Sequence, residues 1–229
     1  MSKFKYFTFL IILTASFTNA QILHKDLKDK NILVVYGGWE GHKPKLFAQK
    51  IVSWLREKNA NVYVSDTTSI YTNTKLMKKL DLIIQHITMS DISENQIDNL
   101  TKTIKNGAGL AGCHGGLGDS FRNDVDFQYM VGGQFVKHPG DNINYIVNIS
   151  TEKDPITKDI DDFNVTSEQY YMHIDPALEV LATTKFTGKY DPWIKGVVVP
   201  VVWKKYYGKG RVFYNSIGHS IENFDIPEV

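Results

Sequence analysis

The residues best suited to chemistry sit in Gly109-Leu-Ala-Gly-Cys113-His114-Gly-Gly-Leu-Gly118, where the only cysteine of the chain and a histidine stand among glycines. Glycine permits positive φ and sharp turns, so a side chain here can be presented at the end of a sheet. Peptide N–H groups opening a following helix would face whatever binds there. The plainer alternative is a tight strand-to-helix turn with a buried thiol.

Other histidines occupy comparable settings. His42 lies in Gly37-Gly-Trp-Glu-Gly-His42-Lys-Pro44, His86 closes an apolar run, and His138 precedes Pro139. His173 follows Glu168-Gln-Tyr-Tyr-Met, and His219 lies in Gly218-His-Ser220. His24 has no such context. A single loop histidine is more often a hydrogen-bonding residue than a ligand, but several at expected strand ends favour a shared pocket. No pair has the local H-x-x-x-H spacing of a metal motif, so any metal site must be assembled over long range. Glu168, beside Tyr170 and Tyr171, is either an acid–base carboxylate in a partly dry pocket or a surface glutamate on a sheet edge. Trp39 is set among glycines in a strand-end loop and suits a sugar ring, while Trp193 and Trp203 read as core.

The elements that must position these residues alternate. Asn31–Tyr36, Asn61–Ser65, Leu80–His86 and Ala108–Cys113 read as strands. Pro44–Lys58 carries Phe47, Ile51, Trp54 and Leu55 at helical spacing behind a first-turn proline. Ser93-Glu-Asn-Gln96 is a capping box for a helix to about Lys105. This β-α-β-α-β-α-β order predicts an α/β fold with a doubly wound parallel sheet, whose ligands bind at the carboxyl ends of the strands. The second half predicts an added β-rich portion: strands over Asn142–Ser150, Leu178–Thr183, Val197–Trp203 and Arg211–Asn215, with a hairpin turn at Gly208-Lys-Gly210.

The 229 residues, 42% hydrophobic and 22% charged, suit one globular domain. A net charge of +1 gives no electrostatic case for nucleic acid or an anionic membrane. Lys3 and Lys5, the apolar Tyr6–Phe17 and the small residues before Gln21 predict a signal peptide over 1–20 and an exported, periplasmic or secreted mature chain over 21–229, with no membrane insertion after cleavage. One cysteine permits no intrachain disulfide, so Cys113 is either core or site.

Taken in order, several segments resemble the ThuA-like, or trehalose-utilisation, family. They are Gly37-Gly-Trp-x-x-His42-x-Pro44, Gly112-Cys-His114-Gly-Gly116, Asp119-Ser-Phe-Arg122, and Met130-Val-Gly-Gly133 with His138-Pro139. Glu168-Gln-Tyr-Tyr-Met-His173-x-Asp175-Pro176, Val199-Pro-Val-Val-Trp203, Gly208-Lys-Gly-Arg-Val-Phe-Tyr214 and Gly218-His-Ser220 complete the set. The resemblance implies a flavodoxin-like sheet related to class I glutamine amidotransferases, and a role in carbohydrate metabolism, with oxidised disaccharides such as 3-keto glucosides as associated substrates. Amidotransferase relatives carry a cysteine nucleophile in the turn held here by Cys113-His114. ThuA-like proteins usually have an aliphatic residue at the cysteine position, which favours His114 as the functional residue. Relatives usually continue past Pro227-Glu-Val229 into another helix, so that C-terminal helix is expected to be missing.

Three functions are open on this reading. The first is an enzyme cleaving or converting a glycoside or 3-keto-glycoside. Its candidate catalytic residues are His114, Glu168, His173 and His219, and its candidate substrate-binding residues are Trp39, His42, Arg122, His138, Tyr170 and Tyr171. His42, His114 and His138 are its candidate ligands for a divalent metal such as zinc. The second is a sugar-binding module without catalysis. The third is a hydrolase using Cys113 activated by a histidine, which requires a depressed thiol pKa.

Overall fold

The computed structural model describes residues 27–229. The signal-peptide expectation, and His24, lie outside the described residues. Strands β1 (Asn31–Gly38), β2 (Asn61–Ser65), β3 (Leu82–Thr88) and β4 (Gly109–Cys113) form on the segments expected. Helix α1 (Pro44–Glu57) follows β1, a short α2 (Thr74–Met77) precedes β3, and α3 (Glu94–Lys105) precedes β4. The reciprocal capping box at Ser93 and Gln96 is present, and it satisfies backbone donors that the first helical turn leaves open.

Beyond β4 come α4 (Gly115–Gly118), α5 (Val125–Val131), β5 (Gly133–Lys137), β6 (Asn142–Ile149), β7 (Phe163–Glu168), β8 (Tyr171–Ile174), β9 (Glu179–Lys185), β10 (Val198–Tyr207) and β11 (Gly210–Asn215). The main sheet has nine strands in the order β2-β1-β3-β4-β11-β10-β9-β6-β7, and β5 pairs with β8 in a separate ribbon. Strand β11 runs parallel to β4, whereas β11/β10, β10/β9, β9/β6 and β6/β7 are antiparallel. The added β-rich portion is thus an extension of the same sheet, joined through β11. The expected hairpin closes with Tyr207 opposite Gly210, and Gly208 takes φ +63 in the turn.

Both faces of the parallel half are covered. Ile32 and Val34 of β1 pack with Ala48, Val52 and Leu55 of α1. Their neighbours Leu33 and Val35 point the other way, into the larger core with Ile97, Leu100 and Ile104 of α3. Alternate residues of one apolar run therefore fill two cores, as a doubly wound sheet requires. A third cluster, built on Val147, Val165, Ala182 and Val201, supports the antiparallel half. Because β1, β3, β4 and β11 are parallel, their carboxyl ends lie along one edge. Among the described residues, no helix is long and apolar enough to cross a membrane.

Trp203 anchors the larger core. It is fully buried, lies 4.2 Å from the Tyr214 ring, and donates from Nε1 to the Val131 carbonyl at 3.0 Å. Trp203→Ala removes this volume and orphans that carbonyl. The expected loss is about 3–5 kcal/mol, read as a lower urea midpoint at unchanged m-value.

Candidate functional site

Four side chains meet at the carboxyl edge of the parallel strands: His42, His114, Glu168 and His219. One ligand atom from each lies within 4.8 Å of all the others. His42 comes from the loop after β1, His114 from the turn after β4, Glu168 from the end of β7, and His219 from the segment after β11. The rings of His42 and His114 are 4.6 Å apart, and His219 lies 5.5 Å from the first and 5.6 Å from the second.

His114 is the centre of the arrangement. Its backbone takes φ +48 and ψ −144, a conformation that costs a non-glycine residue about 1–3 kcal/mol. The surroundings enforce it. His114 N–H donates to the Asn215 carbonyl at 2.7 Å, and the Tyr214 hydroxyl donates to the His114 carbonyl at 3.0 Å. The following glycines are needed for space: a Cβ on Gly115 would stand 2.7 Å from the His42 ring, and one on Gly116 would stand 2.2 Å from the His86 ring.

The hydrogen bonds fix the ring as well. His114 Nδ1 lies 2.8 Å from the Ser216 carbonyl, which can only accept, so Nδ1 carries the proton. Nε2 then faces Glu168 Oε2 at 3.0 Å and the Tyr170 hydroxyl at 2.8 Å, with the Tyr170 ring stacked at 4.1 Å. Burial lowers the pKa of His114 and outweighs the opposing pull of Glu168 and Ser216, so the ring is neutral. Burial would raise Glu168, but His114 and His219 outweigh it and hold the carboxyl well below the usual range. His219 is raised by the same carboxylate, which lies 3.2 Å from its Nδ1 in ion-pair contact, off line for a hydrogen bond. A neutral ring whose one proton is spent on Ser216 therefore presents its Nε2 lone pair to the Tyr170 hydroxyl, with the Glu168 carboxylate beside it.

His42 adds a second lone pair. Its Nδ1 is 3.0 Å from Thr88 Oγ1, and its Nε2 is buried with no hydrogen-bond partner among the described residues. Burial, followed by the neighbouring His114 and His86, pushes its pKa down to about 3, so this ring is also neutral at ordinary pH. Three imidazoles and one carboxylate, with two rings fixed by partners behind them, make a donor set that can hold a divalent first-row ion.

The expected site residues divide as follows. His42, His114, Glu168 and His219 form the cluster, and Tyr170 is in contact with it. His138 is peripheral: its Nε2 is 3.7 Å from Glu168 Oε1 and its ring is partly exposed, so Glu168 and His219, not His138, complete the donor set around His42 and His114. Trp39 is half exposed at the rim, edge-on to His42 at 4.7 Å. Arg122 is paired with buried Asp119 and lies over the Phe135 ring. His173 and Tyr171 are not brought in. His173 is exposed on β8, opposite Gln134, and Tyr171 packs toward Phe186 at 5.8 Å, because alternation along the chain sends Tyr170 and Tyr171 to opposite sides. Thr88 and Ser216 carry no sequence signal, and Asp119 enters only within the Asp119-Ser-Phe-Arg122 segment. Thr88 ends β3 beside His86, and Ser216 contributes only a carbonyl, which any residue type supplies.

Cys113 does not have the character of a nucleophile. It is buried, and burial pushes its thiol up to about 12. The strained turn position belongs to His114. Cys113 Sγ faces His86 Nδ1 at 3.7 Å, and burial holds that ring down to about 3, too weak a base to ionise the thiol. A cavity of about 540 Å³ lies elsewhere, among Lys30, Asp81, Asp154, Lys204 and Arg211. None of the cluster residues lines it, and the Lys30–Asp81 and Lys204–Asp154 pairs neutralise much of its rim.

The family model for ThuA, trehalose utilisation, matches residues 31–229. The chain belongs to the ThuA family. Among solved structures, a ThuA-like protein from Bacteroides uniformis aligns with TM-score 0.69 at 18% identity, over 88% of this chain and 87% of that one. A ThuA-like protein from Parabacteroides merdae aligns with TM-score 0.65 at 15% identity, over 84% and 81%. A β-galactosidase from Rahnella sp. R3 aligns with TM-score 0.55 at 15% identity, over 84% of this chain and 30% of that one. At these identities the likeness is one of fold. No curated protein matches. Membership in the ThuA family and the flavodoxin-like sheet with extra strands agree with the expectations from sequence.

Two outcomes follow from this geometry. Cys113 should resist iodoacetamide in the native protein at about pH 8 and react at once after unfolding in urea, read by mass spectrometry. His42 and His86, both held down to about 3, stay neutral when folded and charge when unfolded below their ordinary value of 6.5. The unfolded state therefore binds more protons as pH falls, and stability present above 6.5 is lost between 6.5 and about 3. Metal-free protein should lose roughly 2–3 kcal/mol per ring by about pH 4.5, measured by urea unfolding. His86→Gln should remove about half of that slope.

Proposed function

We propose that this protein is an enzyme of carbohydrate metabolism that cleaves or converts a glycoside or 3-keto-glycoside at the His42–His114–Glu168–His219 cluster. The observation that carries the proposal is the buried cluster itself: His114 Nε2 faces Glu168 Oε2 at 3.0 Å and the Tyr170 hydroxyl at 2.8 Å, beside the unpartnered His42 Nε2. Such a set is costly to bury unless a cation completes it. The four side chains would hold a divalent ion, zinc being one the donors suit. When bound, that ion would supply Lewis-acid polarisation of a sugar oxygen.

The chain's own residues account for the rest. Trp39 offers an aromatic face at the rim for a sugar ring. His138, outside the donor set and partly exposed, is placed to take a proton from a carbon next to a sugar ketone. The electron pair left on carbon forms an enolate. As the enolate collapses, the bond to the glycosidic oxygen on the next carbon breaks, and that oxygen takes up a proton, from His138 or from water. Membership in a trehalose-utilisation family supports the carbohydrate class. An exported, periplasmic or secreted location is part of the same proposal and rests on the order of charged, apolar and small residues over 1–20.

The test is elemental analysis of the purified protein beside turnover of a 3-keto glucoside. Wild type should carry about one divalent ion per chain. His114→Ala should lose the ion and turnover together, and His138→Ala should keep the ion and lose turnover by about 10²-fold or more. Metal-free wild type that converts the substrate would overturn the metal-assisted reading. A metal-loaded protein that binds but never converts glycosides, native or oxidised, would make it a binding module.

A further inference from the structure

We infer that the substrate of this site carries a carboxylate, and that Arg122 is the fixed donor that reads it. The inference takes the position of the site from the enzyme reading above, but its test does not require turnover.

Arg122 is built as a rigid fork. Nε donates to Asp119 Oδ1 at 2.6 Å, and Nη2 donates to Asp119 Oδ2 at 2.7 Å. Asp119 is itself buried, its carbonyl accepts from Met89 N–H at 2.8 Å, and its Oδ1 also receives Gln134 Nε2 at 3.4 Å. The guanidinium carbon sits 5.9 Å over the Phe135 ring. That ring lies 4.4 Å from Tyr170 and 5.6 Å from His138, the two groups that border Glu168 and His114 on this side. Arg122 therefore reaches this wall of the site through Phe135.

Half of the Arg122 side chain remains exposed, and no described residue takes Nη1. One edge is locked by a buried carboxylate, and the half-exposed remainder of the guanidinium lies over Phe135, the ring that borders Tyr170 and His138. The lock removes the rotamer freedom that an arginine otherwise loses on binding. A planar guanidinium edge matches a carboxylate in charge and geometry, whereas a neutral hydroxyl gains a single ordinary hydrogen bond from it. The ligand class is thus a sugar acid: a uronate or aldonate unit, or a glycoside bearing one.

The experiment is calorimetric titration of the full purified protein with glucuronate and, separately, glucose, in wild type, Arg122→Gln and Arg122→Lys, with metal content measured in each. Wild type should bind glucuronate about 10-fold or more tighter than glucose. Arg122→Gln should abolish the preference while metal content stays unchanged. Arg122→Lys keeps a charge for Asp119 but loses the second donor edge, and should reduce the preference severalfold, which covers the case in which the glutamine variant fails to fold. Equal affinities in wild type, or a preference intact in either variant, would overturn the inference. A lost preference in protein that never turns over a glycoside would uphold it while the enzyme reading fails.

Discussion

The backbone of His114 is the constraint on which the site depends. It adopts a conformation that no isolated histidine would choose, and it does so because β11 and the residue just after it hold it from three directions: the Asn215 carbonyl, the Tyr214 hydroxyl and the Ser216 carbonyl. The first two fix the main chain and the third fixes the ring. The register of β11 against β4, with Asn215 opposite Cys113, is what aligns all three. A slip of that pairing by one residue would turn the side chains to the other face and remove the Tyr214 contact.

With His114 fixed, the electrostatics of the pocket follow. Burial keeps His42, His86 and His114 neutral, and their neutrality leaves the Glu168 carboxylate as the pocket's fixed charge, partnered from the rim by His219. The interior is electron-rich, with the Tyr170 hydroxyl as the donor facing His114 Nε2. Histidines that read alike in the sequence have become three different things: a lone-pair donor with a locked proton (His114), a core ring stacked 4.1 Å on Phe47 (His86), and a partly exposed rim group (His138).

Much of this was legible beforehand. The alternation of strands and helices up to Cys113 is written in long, strongly periodic segments, and the capping box and the Gly208 hairpin turn formed where their residues predict. The clustering of His42, His114, Glu168 and His219 could be anticipated only as convergence of strand ends, since their sequence separations carry no local spacing. The short β5 and β8 ribbon was not legible, because its strands lack clean alternation and depend on each other for pairing. That gap also hid the fate of His173: whether it or Tyr170 faces the cluster turns on strand alternation near β8. The Asp119–Arg122 fork was half visible, as a motif without a stated partner for its arginine.

Strand β7 stands last in the sheet order, farthest from β2, yet its final residue, Glu168, closes the pocket on His114. The segment after β11 ties this edge down, with Asn223 donating to the Thr166 carbonyl and paired to Ser167. The sheet must therefore curl until its last strand returns toward its middle. The pocket is consequently a product of the whole chain. No hairpin, helix pair or half-chain contains it, and a molecule arrested with β7 unattached would offer scattered histidines in place of a chelating cage. Completion of the fold thus acts as its own checkpoint: only a finished molecule brings the four side chains together.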